Sequence, residues 1–278
     1  MTSIPVMING LPGNVAQIMA SAAIRDERLT LVPFSLTGEI IDDPSVTVDG
    51  QKITLLKPSI RDSRIGHILE AYPDLIVVDY THPTAVNANA EFYTEHRIPF
   101  VMGTTGGDRD ALEAVVNLAD TPAVIAPNMA KQIVGLQAMF EYAAKTFPGL
   151  FKDYTLEVKE SHQQGKADTS GTAKALVSCL NDLGLGFDVN DIQQIRDPKV
   201  QEKEWGIPKE HLGGHGWHTY TLRADDGSSL FEFTHNINGR DIYVSGTFDA
   251  VVFLDKKRRE DDDGKRLYTM IDVMTQPG

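Results

Sequence analysis

The sequence predicts a two-domain protein: a doubly wound parallel α/β domain, then an α+β domain with an open mixed or antiparallel sheet. The chain has 278 residues, of which 41% are hydrophobic, enough for two cores. From residue 5, uninterrupted apolar runs such as PVMING and DLIVVDYT alternate with helix-length segments, which is typical of buried parallel strands in βαβ units. Beyond about residue 130, stretches of alternating polarity predict an antiparallel sheet with helices on one face.

The elements follow from these patterns in chain order. In the first domain, LTLVPFSL, PFVMGTT and PAVIAPN are predicted strands, and NVAQIMASAAIRDE, TAVNANAEFYTEHR and DRDALEAVVNLADT are predicted helices. In the second, a helix KQIVGLQAMFEYAAKTF precedes a strand ending in LEVKES, a polar loop and a helix from Gly171 to about Leu183. HTYTLRA, SLFEFTHNI and DIYVSGTFDAVVFL are then predicted strands, and the charge run KKRREDDDGKR a solvated loop.

Composition excludes several classes of function. The net charge of −13 argues against nucleic-acid binding, which depends on phosphate neutralisation by Lys and Arg. The absence of an apolar run of roughly 18 residues predicts no membrane span. The opening MTSIPVMINGLPGN lacks a leader pattern, so we expect a cytoplasmic protein. The single cysteine, Cys179, lies in AKALVSCLNDL, which predicts a buried helical thiol.

A glycine-rich turn joins the first predicted strand to the first helix. NGLPGNVA places Gly10, Gly13 and Ala16 in a G-x-x-G-x-x-A spacing, where glycines allow a close approach to a pyrophosphate on the helix N-terminus. In this context the turn predicts a Rossmann-type dinucleotide site; a tight turn without a ligand is the alternative. The predicted cofactor contacts here are Gly10, Leu11, Pro12, Gly13, Asn14 and Val15.

The end of the second strand bears on the choice of cofactor. An NAD site expects Asp or Glu there, but PFSLTG offers the hydroxyls of Ser35 and Thr37, and the first carboxylate is Glu39. Without a carboxylate to repel a 2′-phosphate, NADPH is the preferred cofactor. Because no arginine stands there to bind that phosphate, NADH remains possible.

Two more strand ends carry turn-forming residues. Ligands of open α/β sheets bind at the carboxyl ends of the strands, so both loops are predicted cofactor contacts, with ordinary turn chemistry as the alternative. The residues are Gly103, Thr104 and Thr105 in one loop and Ala126, Pro127, Asn128 and Met129 in the other.

The polar loop ESHQQGKADTSGTA precedes an apolar helix. Ser170 is its predicted N-cap, and the free amides of Gly171 and Thr172 can hold a carboxylate or phosphate. Lys166 supplies a full positive charge that the acidic chain otherwise lacks. Asp168 can orient Lys166 or cap the turn.

His162 in this loop titrates near neutrality, so it can deliver a proton beside a bound anion; a structural histidine is the alternative. Glu157 and Glu160, in the preceding strand, are expected to steady the loop. The histidines of EHLGGHGWH (His211, His215 and His218) are separated by glycines that argue against one helical face, so no metal site is predicted.

ESHQQGKADTSGTA resembles the E-x-H-H-x-x-K-x-D-x-x-S-G-T-A signature of dihydrodipicolinate reductases. The resemblance continues through DYTHP, GTTG, APN and THNINGR and covers nearly the whole chain. It implies NAD(P)H-dependent reduction of 4-hydroxy-tetrahydrodipicolinate, a dicarboxylate, to tetrahydrodipicolinate in lysine (diaminopimelate) biosynthesis. Hydride would pass to ring C4, and His162, or an acid that it relays through, would protonate the resulting enamine.

The resemblance also implies roles for single residues. His162 and Lys166 would be catalytic, Lys166 would also bind substrate, and Ser170, Gly171 and Thr172 would line the carboxylate site. Gln163 replaces the usual second histidine, and DTSGT is one residue shorter than usual; both features resemble the plant-type branch, also found in cyanobacteria.

The family resemblance further implies a dinucleotide domain of residues 1–129 with 250–278, a substrate and oligomerisation domain of 130–249, and a homo-oligomer, either dimer or tetramer. Two other functions stay open. One is a different two-domain NAD(P)-dependent dehydrogenase, and the other is a non-catalytic NADPH-sensing protein.

Overall fold

A computed structural model describes residues 3–260 and 264–276. The described strands, in chain order, are β1 (Ile4–Asn9), β2 (Leu29–Leu31), β3 (Phe34–Leu36), β4 (Ser45–Val48), β5 (Gln51–Leu56), β6 (Ile76–Asp79), β7 (Phe100–Met102), β8 (Ala123–Ile125), β9 (Tyr154–His162), β10 (Gln193–Ile195), β11 (His215–Ala224), β12 (Leu230–Asn238) and β13 (Leu267–Tyr268). The α-helices are α1 (Asn14–Arg25), α2 (Pro58–Ala71), α3 (Val86–Glu95), α4 (Arg109–Leu118), α5 (Lys131–Thr146), α6 (Gly171–Asp182), α7 (Pro198–Lys203), α8 (Ile242–Lys257) and α9 (Met270–Thr275).

The chain forms two compact units. Unit 1 comprises the described residues up to Lys131 and from Tyr243 onward, and unit 2 is Gln132–Ile242. The chain therefore returns to unit 1 at residue 243, seven residues before the boundary expected at 250. This earlier return brings nearly all of α8 into unit 1.

Unit 1 is built on a six-stranded sheet in the order β13-β8-β7-β6-β1-β2, with every pairing parallel. The chain builds outward from β1 to β2 and then, on the other side of β1, from β6 to β13. The direction of winding reverses between β1 and β6, and ligands of such sheets bind at the carboxyl ends beside this reversal. The predicted doubly wound parallel sheet is confirmed.

The core of unit 1 explains why its strand sequences are uninterruptedly apolar. Val6, Met7 and Ile8 of β1 and the Ile76–Val78 segment of β6 are fully buried, because helices cover both faces of a parallel sheet. Met7 and Val77 pack in one cluster with Tyr93 of α3. The sheet is thereby held rigidly behind the loops that leave its carboxyl edge.

The predicted strand LTLVPFSL is two strands in the structure. β2 pairs with β1, whereas β3 pairs in parallel with β5 in a separate three-stranded sheet, β3-β5-β4. The break falls at Val32 and Pro33, because proline has no N–H to continue the ladder. The β4–β5 hairpin is not among the elements predicted above; it turns at Asp49 and Gly50, both with positive φ.

Unit 2 contains a four-stranded mixed sheet in the order β10-β9-β11-β12, in which only the β10–β9 pairing is parallel. Leu176, Val177 and Leu180 of α6 are buried in one cluster with Val158 and Leu222 of the sheet. The cluster fixes α6 against β9 and β11. The predicted α+β unit with a mixed sheet is confirmed.

The segment DIYVSGTFDAVVFL was predicted as a strand, and this prediction is wrong. It lies in α8, where buried positions recur at helical spacing through Gly246, Ala250, Val251 and Leu254. Packing of this face overrides the β-propensity of its valines and aromatic residues. Of the predicted charged loop, Lys256 and Lys257 end α8, while residues 261–263 lie outside the described residues.

Within the described part of the chain, no helix is both long and apolar enough to cross a membrane.

Candidate active site

The glycine turn of unit 1 follows β1, at the point where the sheet reverses direction. Gly10 has φ +107°, and a Cβ there would overlap the Tyr80 carbonyl oxygen, so the turn packs directly against the end of β6. Gly13 N–H donates to the Gly10 carbonyl at 2.8 Å, and a Cβ on Gly13 would lie 2.8 Å from the same oxygen. Only glycine suits either position, so this tight turn delivers the chain to the start of α1.

Helix α1 begins with an open N-terminus. Its N-cap is Gly13, and among the described residues no side chain caps the first turn and no acidic residue lies in it. The leading amides of Asn14 and Val15 are therefore available to an anion, and the helix dipole favours one there. This is the arrangement that a dinucleotide pyrophosphate requires.

Ser35 and Thr37, predicted to face the cofactor ribose, hold the glycine turn instead. Ser35 is fully buried, and its hydroxyl accepts the Leu11 amide at 3.3 Å. Thr37 is also buried and donates its hydroxyl to the Leu11 carbonyl at 2.7 Å. Both hydroxyls are thus used within the protein on the backbone of Leu11.

The loop Gly103–Thr105 is anchored by the buried carboxylate of Asp79 at the end of β6. Thr104 donates its hydroxyl to Asp79 Oδ1 at 2.7 Å, and the Thr81 hydroxyl donates to the same oxygen at 2.8 Å. Asp79 Oδ2 accepts the Tyr93 hydroxyl at 2.6 Å and the Asn89 amide at 3.0 Å. All of these bonds come from neutral donors. Together they link α3 to the carboxyl ends of β6 and β7.

The other predicted cofactor residues lie on the same edge. Thr105 is exposed next to the buried Thr104. In the loop after β8, Ala126 and Met129 are buried and Pro127 is exposed. Asn128 accepts the Ala130 amide at 2.9 Å through its side-chain oxygen, which shapes this loop. The structure therefore brings the glycine turn and both predicted loops to the carboxyl edge of one parallel sheet.

In unit 2, the polar loop is anchored by Glu160, which is fully buried near the end of β9. One carboxylate oxygen accepts the Ser170 amide at 3.0 Å, and the other lies 2.5 Å from Arg196 Nη2. Arg196 also donates through Nε to the Lys166 carbonyl at 2.9 Å. Glu160 and Arg196 thus hold both the middle and the end of the loop, which agrees with the steadying role expected of Glu160.

Glu157, expected to share this role, does not reach the loop. Its carboxylate pairs with Lys159 at 2.8 Å, and the hydrogen bond to this lysine is the main reason that its pKa lies below the usual value. Gln193 donates a further bond at 3.3 Å. Glu157 therefore belongs to the exposed surface of β9.

Lys166 presents its ammonium group at the loop, with a side chain that is 20% exposed. Its Nζ atom lies 2.7 Å from Asp168 Oδ1, so Asp168 orients it, as one of the two predicted alternatives stated. The hydrogen bond from Lys166 lowers the pKa of the Asp168 carboxyl. The Lys166 amide donates to the Gln163 carbonyl at 3.0 Å, which closes the turn that contains Gln163.

Helix α6 starts at Gly171, as predicted, with Ser170 at the N-cap position. The Ser170 hydroxyl makes no capping bond within the described chain; Ser170 contributes its backbone amide to Glu160 instead. Gly171 is exposed and Thr172 half-buried, so the first amides of a 12-residue helix face outward beside the loop that carries Lys166. An anion can meet the helix N-terminus and the lysine together.

His162 ends β9 inside a cluster of histidines. Its Nδ1 atom lies 2.9 Å from the His215 carbonyl oxygen, and its Nε2 atom lies 3.3 Å from His218 Nε2. Gly216 stands opposite His162 in the sheet, and a Cβ there would lie 3.0 Å from the His162 ring, so glycine leaves room for the imidazole. The Gln201 amide donates to the His162 carbonyl at 2.7 Å and fixes the backbone.

The expectation that His162 titrates near neutrality is not met in this cluster. Burial lowers its pKa to about 4, against an opposing effect of the Glu160 charge. Burial also lowers the pKa of His235 to about 4 and places that of His218 well below the usual range. These histidines are therefore neutral at pH 7 in the protein alone.

Glu160, His162 and His218 place one donor atom each within 4.8 Å of one another, close enough to suggest a metal ion. Both Glu160 oxygens, however, already accept hydrogen bonds, and the Arg196 guanidinium pairs with one of them. The two imidazoles hydrogen-bond each other. We interpret the group as a hydrogen-bonded cluster.

Several residues of these sites were not singled out from the sequence. Arg196 and Gln201 are far from the loop in sequence and carry no local motif. His218 was noted only for its spacing to other histidines, although the register of β11 places it directly opposite Glu160. Asp79 offered a usable signal, because a carboxylate at the end of a buried parallel strand needs a partner network.

Comparisons with known proteins show which family the chain belongs to. A family model described as "Dihydrodipicolinate reductase, N-terminus" matches residues 4–129, and one described as "Dihydrodipicolinate reductase, C-terminus" matches residues 133–274. The chain is 47% identical over 273 residues to "4-hydroxy-tetrahydrodipicolinate reductase 1, chloroplastic" of Arabidopsis thaliana, a match that covers 98% of this chain and 78% of that protein.

A second relative is "Probable 4-hydroxy-tetrahydrodipicolinate reductase 1, chloroplastic" of Oryza sativa subsp. japonica, 46% identical over 274 residues, covering 99% of this chain and 79% of that protein. Among solved structures, dipicolinate-bound dihydrodipicolinate reductase from Paenisporosarcina sp. TG-14 has the same fold, with a TM-score of 0.67 and 18% identity, covering 96% and 98% of the two chains. The chain belongs to the dihydrodipicolinate reductase family.

Proposed function

We propose that this chain carries out the reduction for which its relatives are named, from 4-hydroxy-tetrahydrodipicolinate to tetrahydrodipicolinate, with NAD(P)H as reductant. It is an oxidoreductase of the lysine (diaminopimelate) pathway. The observation that carries the residue assignments is the loop that follows His162 between β9 and α6. There the buried Glu160–Arg196 pair holds the Lys166 carbonyl and the Ser170 amide beside an open helix N-terminus. Such a loop suits a small dicarboxylate.

Substrate binding is assigned to Lys166 and the start of α6. One substrate carboxylate would accept the amides of Gly171 and Thr172 with the Ser170 hydroxyl nearby, since that hydroxyl has no capping role. Lys166 would pair with the dianion and, as the second catalytic residue, stabilise charge as it shifts in the ring. Gln163 would add a neutral hydrogen bond where the usual family signature has a second histidine.

His162 is the proposed proton donor to the enamine. In the protein alone its pKa is about 4, so it would not carry the proton needed at pH 7. A bound dicarboxylate brings negative charge close to the imidazole, which favours the charged form and raises its pKa. His162 would therefore become protonated only when substrate is bound. The free protein then carries no unpaired positive charge on this buried imidazole.

The nicotinamide cofactor is assigned to the carboxyl edge of the unit 1 sheet. The open start of α1 and the cleared glycine turn fit a pyrophosphate, and the loops after β7 and β8 would complete the site. When bound, the cofactor supplies the hydride. The proposed contacts are Gly10 to Val15, Gly103 to Thr105 and Ala126 to Met129.

The proposed preference for NADPH rests on a lysine, because the hydroxyls of Ser35 and Thr37 are engaged with Leu11. Strands β3 and β5 pair in parallel, and the first residues after them are Thr37 and Lys57 respectively. The Thr37 amide donates to the Leu56 carbonyl at 3.0 Å. Glu39 accepts the Ser59 hydroxyl at 2.8 Å. Lys57 is thus a positive group at the two strand ends where the adenosine ribose of such folds binds.

A homo-oligomer formed through the unit 2 sheet remains a proposal. It is supported by β12, an edge strand on which Leu230 and Phe231 are exposed. Light scattering of the purified protein would distinguish dimer from tetramer.

A cytoplasmic location likewise stays a prediction from the sequence.

The test is the initial rate of NADPH and NADH oxidation, with substrate generated by a dihydrodipicolinate synthase from pyruvate and aspartate semialdehyde. Oxidation that depends on the synthase supports the proposal. NADPH binding without oxidation would favour the sensor, and oxidation with other amino- or oxo-acids alone would favour a different dehydrogenase.

A further inference from the structure

His218 contacts the proposed proton donor but lies outside the substrate loop. It lies near the start of β11 and is paired with Glu160 of β9. Its Nε2 atom is 3.3 Å from His162 Nε2 and 3.8 Å from Glu160 Oε2. Its side chain is 4% exposed, so it reaches solvent and substrate only through its neighbours.

The hydrogen bonds determine which nitrogens carry protons. A carbonyl oxygen can only accept, so the contact with His215 O requires a hydrogen on His162 Nδ1. A neutral His162 then has a bare Nε2. The 3.3 Å contact therefore requires His218 to donate from its own Nε2, which leaves His218 Nδ1 without a hydrogen.

That second nitrogen supports the assignment. His218 Nδ1 is buried and has no hydrogen-bond partner among the described residues. A bare ring nitrogen there costs less than a buried N–H donor that carries no acceptor, because an unpaired donor loses its bond to water. The surroundings therefore favour the Nε2–H form of His218.

We propose that His218 is a positioning residue for His162: it donates to a neutral His162, and it must move its own hydrogen from Nε2 to Nδ1 before His162 can bear one on Nε2. The neutral pair holds two ring hydrogens, on His162 Nδ1 and His218 Nε2. The protonated pair holds three, on both nitrogens of His162 and on His218 Nδ1. This inference rests on the proposed role of His162 as proton donor.

The exchange controls when His162 becomes an acid. If His162 gained a hydrogen on Nε2 while His218 kept its own, two donors would face each other at 3.3 Å with no acceptor between them. Moving the hydrogen to His218 Nδ1 instead places a donor at the buried, unpartnered site. The first arrangement is therefore avoided, and the cost of the second opposes protonation of His162 until a bound dianion compensates for it.

The charged and titratable groups that face this pair come from every neighbouring element. They are Glu160 of β9, Lys166 of the loop, Arg196 after β10, Tyr220 of β11 and His235 of β12. His235 stacks on the His218 ring, with centroids 4.5 Å apart, and neither of its ring nitrogens has a hydrogen-bond partner among the described residues. Burial lowers the pKa of His235 to about 4, so this histidine adds no charge beside the pair at pH 7.

The first test needs no variant and no activity. Nitrogen-15 NMR of the histidine rings in the intact protein at pH 7 should show His162 as the Nδ1–H form and His218 as the Nε2–H form. Because this spectrum is recorded without substrate, its outcome is separate from success of the synthase-coupled assay. A neutral His218 with its hydrogen on Nδ1 would overturn the proposal.

The second test is the pH dependence of kcat in His218→Gln. The glutamine can offer either its amide or its carbonyl oxygen to His162. Its oxygen can therefore accept a hydrogen bond from a protonated His162 Nε2, and no unpartnered hydrogen has to be placed at the buried position of His218 Nδ1. We expect the pKa seen in kcat to shift upward by about half a unit or more. His218→Phe offers neither group, so His162 loses its positioning contact and kcat should fall by roughly tenfold.

His235→Phe is the matched control, since it alters the other side of the His218 ring and should leave the pH profile unchanged. Circular dichroism and NADPH affinity verify that each variant is folded. If His218→Gln kept the wild-type pH profile, or if His235→Phe shifted it equally, a role in packing alone would be indicated and the proposal would fail.

Discussion

Glu160 and Arg196 form an ion pair at 2.5 Å in which the glutamate side chain is wholly buried and the arginine 16% exposed. Just before Glu160 on β9, Glu157 and Lys159 form a pair at 2.8 Å with both side chains 38% exposed. The first pair anchors the loop between β9 and α6, and the second lies on the exposed surface of β9. Both are ion pairs between a glutamate and a basic side chain, but removing the basic partner should cost much more folding stability in the first pair. Only there does it leave a buried, unpaired charge.

Arg196→Leu should therefore destabilise the protein strongly. It leaves the Glu160 carboxylate buried without its partner, which costs about 3–5 kcal/mol in comparable pairs. Lys159→Leu, on the same sheet, should cost less than about 1 kcal/mol. Urea unfolding of both variants measures the difference, and equal losses would contradict the assignment of Arg196 as the anchor.

Alanine should have opposite effects on folding stability at two helical glycines. A Cβ on Gly246 of α8 would overlap the Met129 carbonyl oxygen, whereas a Cβ on Gly66 of α2 meets nothing within 4 Å. Gly246→Ala should lower stability by roughly 1–3 kcal/mol or more through overpacking. Gly66→Ala should raise it by about 1 kcal/mol through helix propensity. Thermal unfolding checks both, and a stabilised Gly246→Ala would disprove the close packing of α8 on Met129.

The sheet of unit 1 was predictable from sequence because a parallel strand is buried on both faces. That burial demands unbroken apolar runs, such as the one through Val6, Met7 and Ile8. The start of α6 was also predictable, since loop-forming residues give way abruptly to an apolar helical pattern at Gly171. Both signals are local, and no distant contact competes with them.

Helix α8 shows where local reasoning fails. Its valines and aromatic residues favour a strand, and only packing of the face around Gly246 and Leu254 makes it helical. The β4–β5 hairpin is a different case, because Asp49 and Gly50 form a hairpin dipeptide that the sequence displays openly. Attention to that dipeptide would have predicted it.

The candidate site divides in the same way. Lys166 and Asp168 are neighbours in sequence, and their contact was foreseen. The pairing of His162 with His218 depends on the register of β11 against β9, and the pairing of Glu160 with Arg196 depends on β10. Strand register between distant segments follows from the assembled core, so no short motif encodes it.

Lys166→Ala tests the substrate loop. The proposed role predicts a KM for substrate raised by roughly tenfold or more and a lower kcat, because a charge-assisted contact is lost. The affinity for NADPH should stay within about twofold of wild type. Lys174→Ala, which removes an exposed lysine of α6, is the control. Wild-type kinetics in Lys166→Ala would remove this residue from the proposed machinery.

Lys57→Ala tests the cofactor preference. If the lysine meets the 2′-phosphate, the KM for NADPH should rise roughly tenfold while the KM for NADH is unchanged. Lys52→Ala, at an exposed position on β5, should alter neither value. Initial rates with each cofactor give the KM values of wild type and of both variants. An equal rise for NADPH and NADH would indicate a structural role for Lys57.

The buried histidines predict that acid destabilises the protein well before its carboxylates are protonated. Burial lowers the pKa of His162 and of His235 from 6.5 to about 4, so in the unfolded chain both bind protons at a higher pH than in the folded one. Their contribution to stability is therefore complete above pH 6.5 and is lost as the pH falls from 6.5 towards 4. Allowing for their partial exposure, each should account for roughly 1 kcal/mol of that loss.

Urea unfolding at constant ionic strength between pH 7.5 and pH 4.5 measures this slope. In His235→Phe, one of the two groups is absent, so the free energy of unfolding should fall less steeply with acid than in wild type. His67, which is 80% exposed on α2, provides the control: His67→Phe should leave the slope unchanged. If His235→Phe and wild type lost stability in parallel, His235 would have to be protonated equally in the folded and unfolded chains, contrary to its burial.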